Sequence, residues 1–337
     1  MPFKTGIIGA GLIAETHARA LQGLDQAVLT AICDNGSGRA NNLAEKFQCK
    51  AFHDFKEMLT SGEIDVVIIA SPSGAHLDPA VLAAENGIHV LCEKPLEITP
   101  DRIDQMIEAH QRNQTYLGGI FNFRFDEPIP YIKKAIEQGR FGTITYAAAY
   151  VPWWRDEEYY ADSWHGTRKL DGGGALMNQS IHMVDLLQYL MGSIHEIKSF
   201  SATLAHQIET EDSAVAIFQF SNQALGMLQG TTAAYPGQPR RLEIMGTKGT
   251  VVMENSTIKT WEFSTTYEDD KIIRSHQSKD STSGGSADPG DISYINHQKN
   301  IRAFLEAIKE GKSFEIDGEE ARKAVEIVCQ IYASARP

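Results

Sequence analysis

The segment Gly6–Ala14 reads GIIGAGLIA, and it decides how the chain begins to fold. The pattern GxGxxA comes directly after an apolar run and opens a predicted helix, Leu12–Leu24. In a turn of this kind Gly9 permits the tight bend, Gly11 lets the backbone approach a pyrophosphate, and Ala14 allows close packing of helix on strand. The N–H groups at the helix start favour phosphate. The segment therefore predicts a strand, a phosphate-binding turn and a helix.

Asp34 follows the second apolar run, Val28–Cys33, and indicates which dinucleotide would bind. A carboxylate at this place accepts hydrogen bonds from the adenosine ribose and repels a 2′-phosphate. The sequence therefore predicts NAD as the cofactor, with NADP less favoured and left open only by the nearby Arg39. The alternative is a strand, turn and helix with incidental glycines, and the repeated alternation of elements that follows argues against it.

Short apolar runs alternate with amphipathic stretches over the first 120 residues. Asp65–Ala70 is almost wholly apolar, which is typical of a parallel strand covered on both faces. His89–Cys92 predicts another buried strand, Pro79–Asn86 a helix, and Pro100 the start of the next helix. This rhythm predicts an α/β Rossmann domain over residues 1–121.

The rhythm changes in the second half, where long strands follow one another with short turns. The predicted strands are Thr143–Val151, Glu196–His206, Ser213–Phe220 and Ala224–Thr232, with turns at Ser221–Gln223 and Thr247–Gly249. Consecutive strands of this kind predict an α+β domain over residues 122–337 with a mainly antiparallel sheet. Other predicted elements are a main helix from about Gly174 to Met191, a surface loop at Ser275–Asp291, and helices at Phe304–Ile308 and Ala321–Ala333.

Composition excludes several classes of protein. The 337 residues are 42% hydrophobic and 22% charged, which is typical of a globular chain. The net charge of −13 argues against nucleic-acid or anionic-membrane partners, and no apolar run approaches the roughly 20 residues of a membrane span. The start of the chain does not resemble a signal peptide, so a cytoplasmic location is predicted. The scattered cysteines are interpreted as reduced core residues and not metal ligands: Cys33, Cys49, Cys92 and Cys329.

Lys94 is the first candidate for chemistry. The motif Glu93–Pro95 follows the strand His89–Cys92, so Lys94 is predicted at the carboxyl edge of the sheet, where nucleotides bind. A partly desolvated amine there can donate or accept a proton. On this motif alone, a surface lysine in a turn is an equally good interpretation.

The second candidate is His182. A glycine run, Gly172–Gly174, precedes a predicted helix that contains Asn178, His182 and Asp185. Asn178 and His182 are four residues apart, so one helical face would carry both, and together they could handle a substrate hydroxyl. The alternative, favoured for His182 in isolation, is a packed core histidine. A metal site is not predicted, because zinc-like ligand spacing is missing beyond Asp185.

Aromatic residues and arginines cluster just before that helix. Flat aromatic faces suit the C–H faces of sugar rings, and guanidinium groups suit hydroxyl clusters or carboxylates. A hydrophobic loop or a subunit contact is the alternative. The cluster consists of Trp153–Arg155, Tyr159–Tyr160, Trp164 and Arg168, of which Arg155, Trp164 and Arg168 are the predicted substrate contacts along with Asn178.

Together these motifs resemble the Gfo/Idh/MocA oxidoreductase family, which includes glucose–fructose oxidoreductase and inositol dehydrogenase. The resemblance covers nearly the whole chain. The matching positions are Gly9, Gly11, Ala14, Asp34, Ser71–His76, Glu93–Pro95, Asn122–Phe125, Gly172–Gly174, His182 and Asp185.

The resemblance implies a large open sheet in the C-terminal domain, through which many members form a homodimer or homotetramer. It also implies a cis Lys94–Pro95 bond, and Lys94 and His182 as the catalytic pair. The positions that it implies for cofactor binding are Gly9, Gly11, Leu12, Ile13, Asp34, Ser71, Pro72, His76, Glu93, Lys94, Asn122 and Arg124.

The sequence departs from the family pattern at two of these motifs. Asn178 stands where many members carry Asp, which looks more like the branch containing nucleotide-sugar 3-dehydrogenases and places proton handling on His182 and Lys94. Ser73 stands where relatives often have Asn, which leaves the cofactor contact there open.

The expected activity is NAD-dependent oxidation or reduction of a secondary hydroxyl on a sugar, sugar acid or cyclic polyol. The alternatives are a nucleotide-sugar 3-dehydrogenase, an NAD-dependent glycosidase, and a sugar-sensing regulator. The regulator is disfavoured because Lys94 and His182 are both present and no DNA-binding extension is evident.

Overall fold

The computed structural model describes residues 1–335 except 162, 269, 272 and 274–292, so the predicted loop Ser275–Asp291 lies outside the described residues. The helices are α1 Leu12–Gln22, α2 Arg39–Phe47, α3 Phe55–Thr60, α4 Leu77–Glu85, α5 Pro100–Arg112, α6 Pro128–Glu137, α7 Glu157–Tyr160, α8 Ile181–Met191, α9 Ile295–Glu310 and α10 Gly318–Ser334. The strands are β1 Phe3–Ile8, β2 Ala27–Cys33, β3 Lys50–Phe52, β4 Val66–Ile69, β5 His89–Cys92, β6 Leu117–Gly119, β7 Ile144–Pro152, β8 Ile194–Ala202, β9 Ser213–Phe220, β10 Leu225–Thr231, β11 Arg241–Gly246, β12 Gly249–Glu254 and β13 Thr257–Phe263.

The chain divides into two compact units. The first unit comprises Met1–Asn122, Lys169–Gly172 and Ser293–Val325, and the second comprises Phe123–Arg168, Gly173–Ile292 and Glu326–Pro337. This division differs from the predicted domains, 1–121 and 122–337, chiefly because α9 and the start of α10 belong to the first unit. The physical reason is packing: Phe304 of α9 is fully buried, and its ring lies where a Cβ on Gly118 of β6 would stand.

The first unit contains a six-stranded sheet in the order β3-β2-β1-β4-β5-β6, with all neighbouring strands parallel. All four residues of β4 are buried, as expected for a parallel strand covered by helices on both faces. The Rossmann domain predicted from the alternation of runs is therefore confirmed. Because the strands are parallel, the residues that follow β1, β4 and β5 all emerge at one carboxyl edge.

The second unit contains a seven-stranded sheet in the order β13-β12-β11-β7-β10-β9-β8. In the described residues its neighbouring strands are antiparallel except for the pair β7 and β10. The predicted fold class, a Rossmann domain followed by an α+β domain with a large, mainly antiparallel sheet, is confirmed. In β9, Val215 and Ile217 are exposed and the side chains between and after them are buried, so one face of the sheet is covered and the other is not.

The helix predicted from about Gly174 to Met191 is two elements. Ala175–Ser180 forms a π-helix and α8 begins at Ile181. Within the π-helix, the Ser180 Oγ donates to the Ala175 carbonyl at 2.7 Å. Asn178 lies in the π turn and His182 in α8, so the premise that both stand four residues apart in one α-helix was wrong.

All four cysteines are free thiols. Cys33 and Cys92 are buried, as the core interpretation predicted, whereas Cys49 and Cys329 are partly exposed. Burial raises the pKa of Cys33 to about 12, so this thiol stays protonated at neutral pH. In the described part of the chain, no helix combines the length and the apolar character that crossing a membrane requires.

His110 of α5 gives a test of the first unit's packing. Its side chain is buried beside Thr115 Oγ1, 2.7 Å from Nδ1, and burial lowers its pKa to about 4. In the unfolded chain this histidine has a pKa of about 6.5, so between pH ~6.5 and pH ~4 it is protonated in the unfolded state and neutral in the folded state. The free energy of unfolding therefore falls as the pH drops through this range. We expect this group to lower the free energy of unfolding by about 2 kcal/mol between pH ~7 and pH ~5.

Urea unfolding of wild type and His110→Gln at the two pH values measures this contribution. The variant should lose less stability on acidification, and His195→Gln, which alters an exposed histidine, should match wild type. Equal pH dependence in wild type and His110→Gln would contradict the burial argument.

Candidate functional site

The turn after β1 contains two glycines, and the surrounding protein excludes a side chain at only one of them. Gly9 has a φ of +116°, and a Cβ there would lie 2.3 Å from the Ala70 carbonyl oxygen. Both the conformation and the close approach therefore exclude a side chain at Gly9. At Gly11 a Cβ would meet no described atom within 4 Å, so protein packing does not require that glycine.

The start of α1 follows this turn. Gly11 is the residue before the first helical position, and it has no side chain that could cap the helix. Leu12, the first residue of the helix, is exposed. The first N–H groups of a helix have no intrahelical partner and carry a partial positive charge. Open space at Gly11 beside these donors fits the pyrophosphate of a dinucleotide, with Leu12 and Ile13 at the edge of that space.

Asp34 stands at the end of β2 with a full set of partners. Its Oδ1 accepts from the Gly36 N–H at 3.0 Å and lies 2.7 Å from His53 Nδ1, and its Oδ2 accepts from Ser37 Oγ at 2.9 Å and the Ala40 N–H at 3.0 Å. Burial raises the pKa of Asp34, but these hydrogen bonds outweigh burial and hold the pKa well below its usual range. A ribose hydroxyl that bonds this carboxylate would replace one partner, and the exposed His53 is the one most able to leave.

The loops after β4 and β5 are tied together by His76. Its Nε2 lies 2.9 Å from the Ser71 carbonyl, and its Nδ1 lies 3.1 Å from the Pro95 carbonyl and 3.2 Å from the Leu96 carbonyl. His76 is buried, whereas Ser71 and Pro72 are partly exposed at the sheet edge. The contacts seen for His76 are to backbone, so its predicted part in cofactor binding would be to hold these loops.

Lys94 emerges at the same carboxyl edge, directly after β5. Its side chain is half-buried, and its backbone N–H donates to Glu93 Oε2 at 3.0 Å. The Lys94–Pro95 bond is cis, as the family resemblance implied. The structure therefore places Lys94 where the sequence predicted it, at the edge that also carries the Gly9 turn.

Behind Lys94 lies a buried cluster of His17, Glu93 and His297, whose ligand-type atoms all lie within 4.8 Å of one another. Such a group could offer three ligands to a metal ion. However, His17 Nε2 and Glu93 Oε1 are 2.8 Å apart, the length of a hydrogen bond. Two ligands of one tetrahedral zinc, each about 2.0–2.1 Å from the ion, stand about 3.3 Å apart, so the geometry favours the hydrogen bond.

Glu93 is ionised in this cluster. Burial raises the pKa of Glu93, but the hydrogen bond with His17 and the electrostatic interactions with His17, His297 and Lys94 outweigh burial and lower the pKa to about 2. His297 has its pKa lowered to about 4, chiefly by burial, and its ring lies 3.3–3.4 Å from Asn122 Nδ2. Asn122, predicted to bind the cofactor, is buried against this histidine.

In the second unit, His182 is held by an aromatic stack. Its ring lies 4.4 Å from that of Phe123 at an interplanar angle of 29°. The guanidinium of Arg240 lies 3.6 Å from the Phe123 ring centre and donates to Asp126 at 2.7 Å. Sequence reasoning missed Phe123 and Arg240 as supports of His182, because neither is near it along the chain.

Arg124 is paired with Asp185 instead of standing open. The guanidinium donates to both carboxylate oxygens at 2.7 and 2.5 Å, and both side chains are buried. Such a two-pronged pair is strong and geometrically specific. Binding of the cofactor by Arg124 stays a prediction. The sequence did not indicate that Asp185 is its partner.

The predicted substrate residues form a network through Gln179, which sequence reasoning missed. Gln179 Oε1 accepts from Arg155 Nη2 at 2.8 Å, and its Nε2 donates to Asn178 Oδ1 and to the Tyr159 hydroxyl, both at 2.9 Å. Arg155 and Asn178 are thereby brought together, and Arg155 is buried. No pattern in the sequence marked Gln179, which follows Asn178 in the π-helix.

Trp164 joins that network through stacked rings, whereas the described contacts of Arg168 lie outside it. Trp164 packs on His165 with ring centres 4.1 Å apart, and His165 stacks on Tyr159 at 4.2 Å. Arg168 is exposed, and its backbone N–H donates to the Glu209 carboxylate at 2.9 Å while its Nε donates to the Glu209 carbonyl at 3.2 Å. Of the predicted substrate arginines, Arg168 is therefore the one accessible to solvent.

Two family models match the chain. The model described as an oxidoreductase family with an NAD-binding Rossmann fold matches residues 3–119, and the model of the GFO/IDH/MocA C-terminal domain matches residues 129–252.

Individual proteins are similar over most of their length. The WlbA dehydrogenase of Bordetella pertussis, crystallised with NADH and UDP-GlcNAcA, is 31% identical with a TM-score of 0.92, covering 99% of this chain and 96% of that chain. The uncharacterised oxidoreductase YrbE of Bacillus subtilis is 31% identical over 77% of this chain and 76% of that protein. The myo-inositol 2-dehydrogenase of Thermotoga maritima is 29% identical over 75% of each.

The two glycines of the turn give a matched pair of variants. Gly9→Ala places a Cβ against the Ala70 carbonyl and strains the backbone, so we expect a fall in unfolding free energy of about 2 kcal/mol or more. Gly11→Ala meets open space, so its melting temperature should equal that of wild type while NADH binding weakens at least about tenfold through loss of close approach.

Thermal unfolding without cofactor and fluorescence titration with NADH separate the two effects. Wild-type affinity for NADH in Gly11→Ala would show that the pyrophosphate does not approach this turn.

Proposed function

Because the chain belongs to the GFO/IDH/MocA oxidoreductase family, we propose that it oxidises a secondary hydroxyl of a carbohydrate with NAD as hydride acceptor. The predicted family, the predicted enzyme class and the predicted NAD-binding first domain are confirmed by these matches. The observation that carries the proposal is the half-buried Lys94 at the same sheet edge as the phosphate-suited turn at Gly9.

The proposed chemistry is assigned to individual residues as the family resemblance implies. Bound NAD⁺ would supply the hydride acceptor, held by the turn Gly9–Ile13 and by Asp34. His182 removes the proton of the substrate hydroxyl while the carbon that bears this hydroxyl gives up a hydride. Lys94 stabilises the negative charge that develops on the same oxygen. Asn178, held by its hydrogen bond with Gln179, orients a substrate hydroxyl and takes no part in proton transfer.

A nucleotide sugar is the second candidate substrate. It is supported by the match to WlbA over nearly the whole of both chains, because that protein was crystallised with UDP-GlcNAcA. Arg168 is exposed and suits a carboxylate or diphosphate, whereas Arg155 is buried and committed to Gln179. Cyclic polyols are supported by the similarity to myo-inositol 2-dehydrogenase. A cytoplasmic location stays a prediction. The NAD-dependent glycosidase and the sugar-sensing regulator stay alternatives to the proposed dehydrogenase.

We also propose that the protein forms a homodimer or homotetramer through the uncovered face of the second sheet. Phe200 of β8 and Val215 of β9 are direct cross-strand partners and are 85% and 43% exposed. Ile217 and Leu225 stand on the same face and are also exposed. A contiguous exposed apolar patch on a sheet is typical of an interaction surface.

Phe200→Glu should lower the molar mass measured by light scattering after size-exclusion chromatography, because a buried charge without a partner opposes association. Ile295→Glu, which alters an exposed apolar residue of α9, is the control and should keep the wild-type mass. A wild-type monomer, or a variant that keeps the wild-type mass, would contradict the use of this face.

Lys94→Ala tests the proposed activity. We expect turnover to fall about 10²–10⁴-fold, because a positioned acid–base group typically contributes that much, while the Kd for NADH changes less than about threefold. Absorbance of NADH across inositols, aldoses, glycosides, sugar acids and nucleotide sugars identifies the substrate. Lys56→Ala, which alters an exposed lysine of α3, should match wild type.

Two results would overturn the proposal. Near-normal turnover in Lys94→Ala would remove Lys94 from the chemistry. Conversion of a glycoside by the wild-type protein without NADH accumulation would favour the glycosidase.

A further inference from the structure

We propose that His17 is a positioning residue for Lys94 and acts on it through the buried carboxylate of Glu93. The inference rests on the proposed function, which makes Lys94 the group that contacts the reacting oxygen. It assigns a part in the reaction to a histidine in the middle of α1, on the apolar face that the helix turns toward the sheet.

The first link is the bond between His17 and Glu93. His17 is fully buried, and its Nε2 lies 2.8 Å from Glu93 Oε1. Its Nδ1 is buried without a hydrogen-bond partner among the described residues. A proton on Nε2 satisfies this arrangement, because the ionised Glu93 carboxylate can only accept the hydrogen bond. His17 therefore serves Glu93 as a donor.

The second link runs from Glu93 to Lys94. Glu93 Oε2 accepts the backbone N–H of Lys94 at 3.0 Å, while the N–H of Glu93 itself donates to the Ile69 carbonyl at 2.9 Å and continues the pairing of β5 with β4. One carboxylate thus joins a helix on one side to the backbone of the catalytic lysine on the other. Each of its two oxygens is bonded by one of these partners.

The third observation concerns His297, the other histidine beside this carboxylate in the described part of the chain. His297 Nε2 is 3.9 Å from Glu93 Oε1, beyond a hydrogen bond, and its ring meets that of His17 edge to face with centres 5.1 Å apart. His297 therefore packs against His17 but does not supply a second hydrogen bond to Glu93. A buried carboxylate that loses its donor is strongly destabilised and must rotate or take up a proton.

The position of His17 connects Lys94 with the cofactor turn. The helix that carries His17 begins directly after Gly11, so a single rigid element runs from the phosphate-suited turn to Glu93. Displacement of a reacting group by about 1 Å costs on the order of 10²-fold in rate. Loss of the His17 bond is therefore expected to lower turnover without removing the lysine.

The test uses a matched pair of amide variants. His17→Gln keeps an N–H donor at nearly the distance of Nε2, whereas His17→Asn is one methylene shorter and cannot reach Glu93. We expect His17→Asn to lower kcat about 10- to 100-fold with the KM for NAD within about threefold of wild type, and His17→Gln to recover kcat to within about fivefold. His17→Leu should behave like His17→Asn if it folds.

A second readout does not depend on activity. Pyridoxal phosphate followed by borohydride labels accessible amines, and mass spectrometry of the Lys94 peptide gives the labelling rate. That rate should change at least about twofold in His17→Asn and stay near wild type in His17→Gln. His110→Leu, which alters another buried histidine of the first unit, controls for lost stability and should leave the rate unchanged.

Equal kcat and equal Lys94 labelling in His17→Gln and His17→Asn would overturn the proposal, as would a loss in both variants that follows their melting temperatures. If wild type forms NADH from no sugar tested, the proposed function fails, and the labelling experiment still decides whether His17 positions Lys94.

Discussion

The close approach of the Gly9 backbone to the Ala70 carbonyl is the constraint on which the first unit depends. The chain leaves β1 at a φ of +116°, in space that excludes even a methyl group, and this bend lets α1 begin three residues later. The same turn leaves helix N–H groups facing open space at Gly11. The start of α1 then fixes where His17 meets Glu93, so the phosphate-suited turn and the setting of Lys94 follow from one backbone geometry.

The second unit positions its candidate base with buried charge and aromatic contact. The Arg124–Asp185 and Arg240–Asp126 pairs are both buried, and the ring of Phe123 lies against both Arg240 and His182. Buried ion pairs add little net stability, because removing two charges from water offsets their attraction, but breaking one leaves an uncompensated charge. Their effect here is to restrict the conformations open to the elements that carry His182.

The predicted substrate residues Asn178 and Arg155 belong to the second unit. Asn178 and Arg155 are joined through Gln179, and both Asn178 and Gln179 lie in the π-helix, all of whose residues are buried. This network can change without altering the NAD-binding turn. The proteins similar to this chain differ in the compounds named with them, UDP-GlcNAcA for WlbA and myo-inositol for the dehydrogenase of Thermotoga maritima.

The sequence by itself determined the features that depend on residues close together along the chain. The Rossmann order, the glycine turn, Asp34 after β2 and Lys94 after β5 all follow from local patterns of apolar runs and glycines, because a parallel sheet places the ends of its strands at one edge. A signal for His17 was also present, since it shares the apolar face of α1 with Ala14 and Leu21. The tertiary structure alone decided its partner Glu93, the packing of α9 into the first unit, the pairing of Arg124 with Asp185, and the π-helix that separates Asn178 from His182. Those features depend on contacts between residues far apart in sequence, or on how a helix fits its neighbours, and no local pattern encodes which distant side chain will fill a given place.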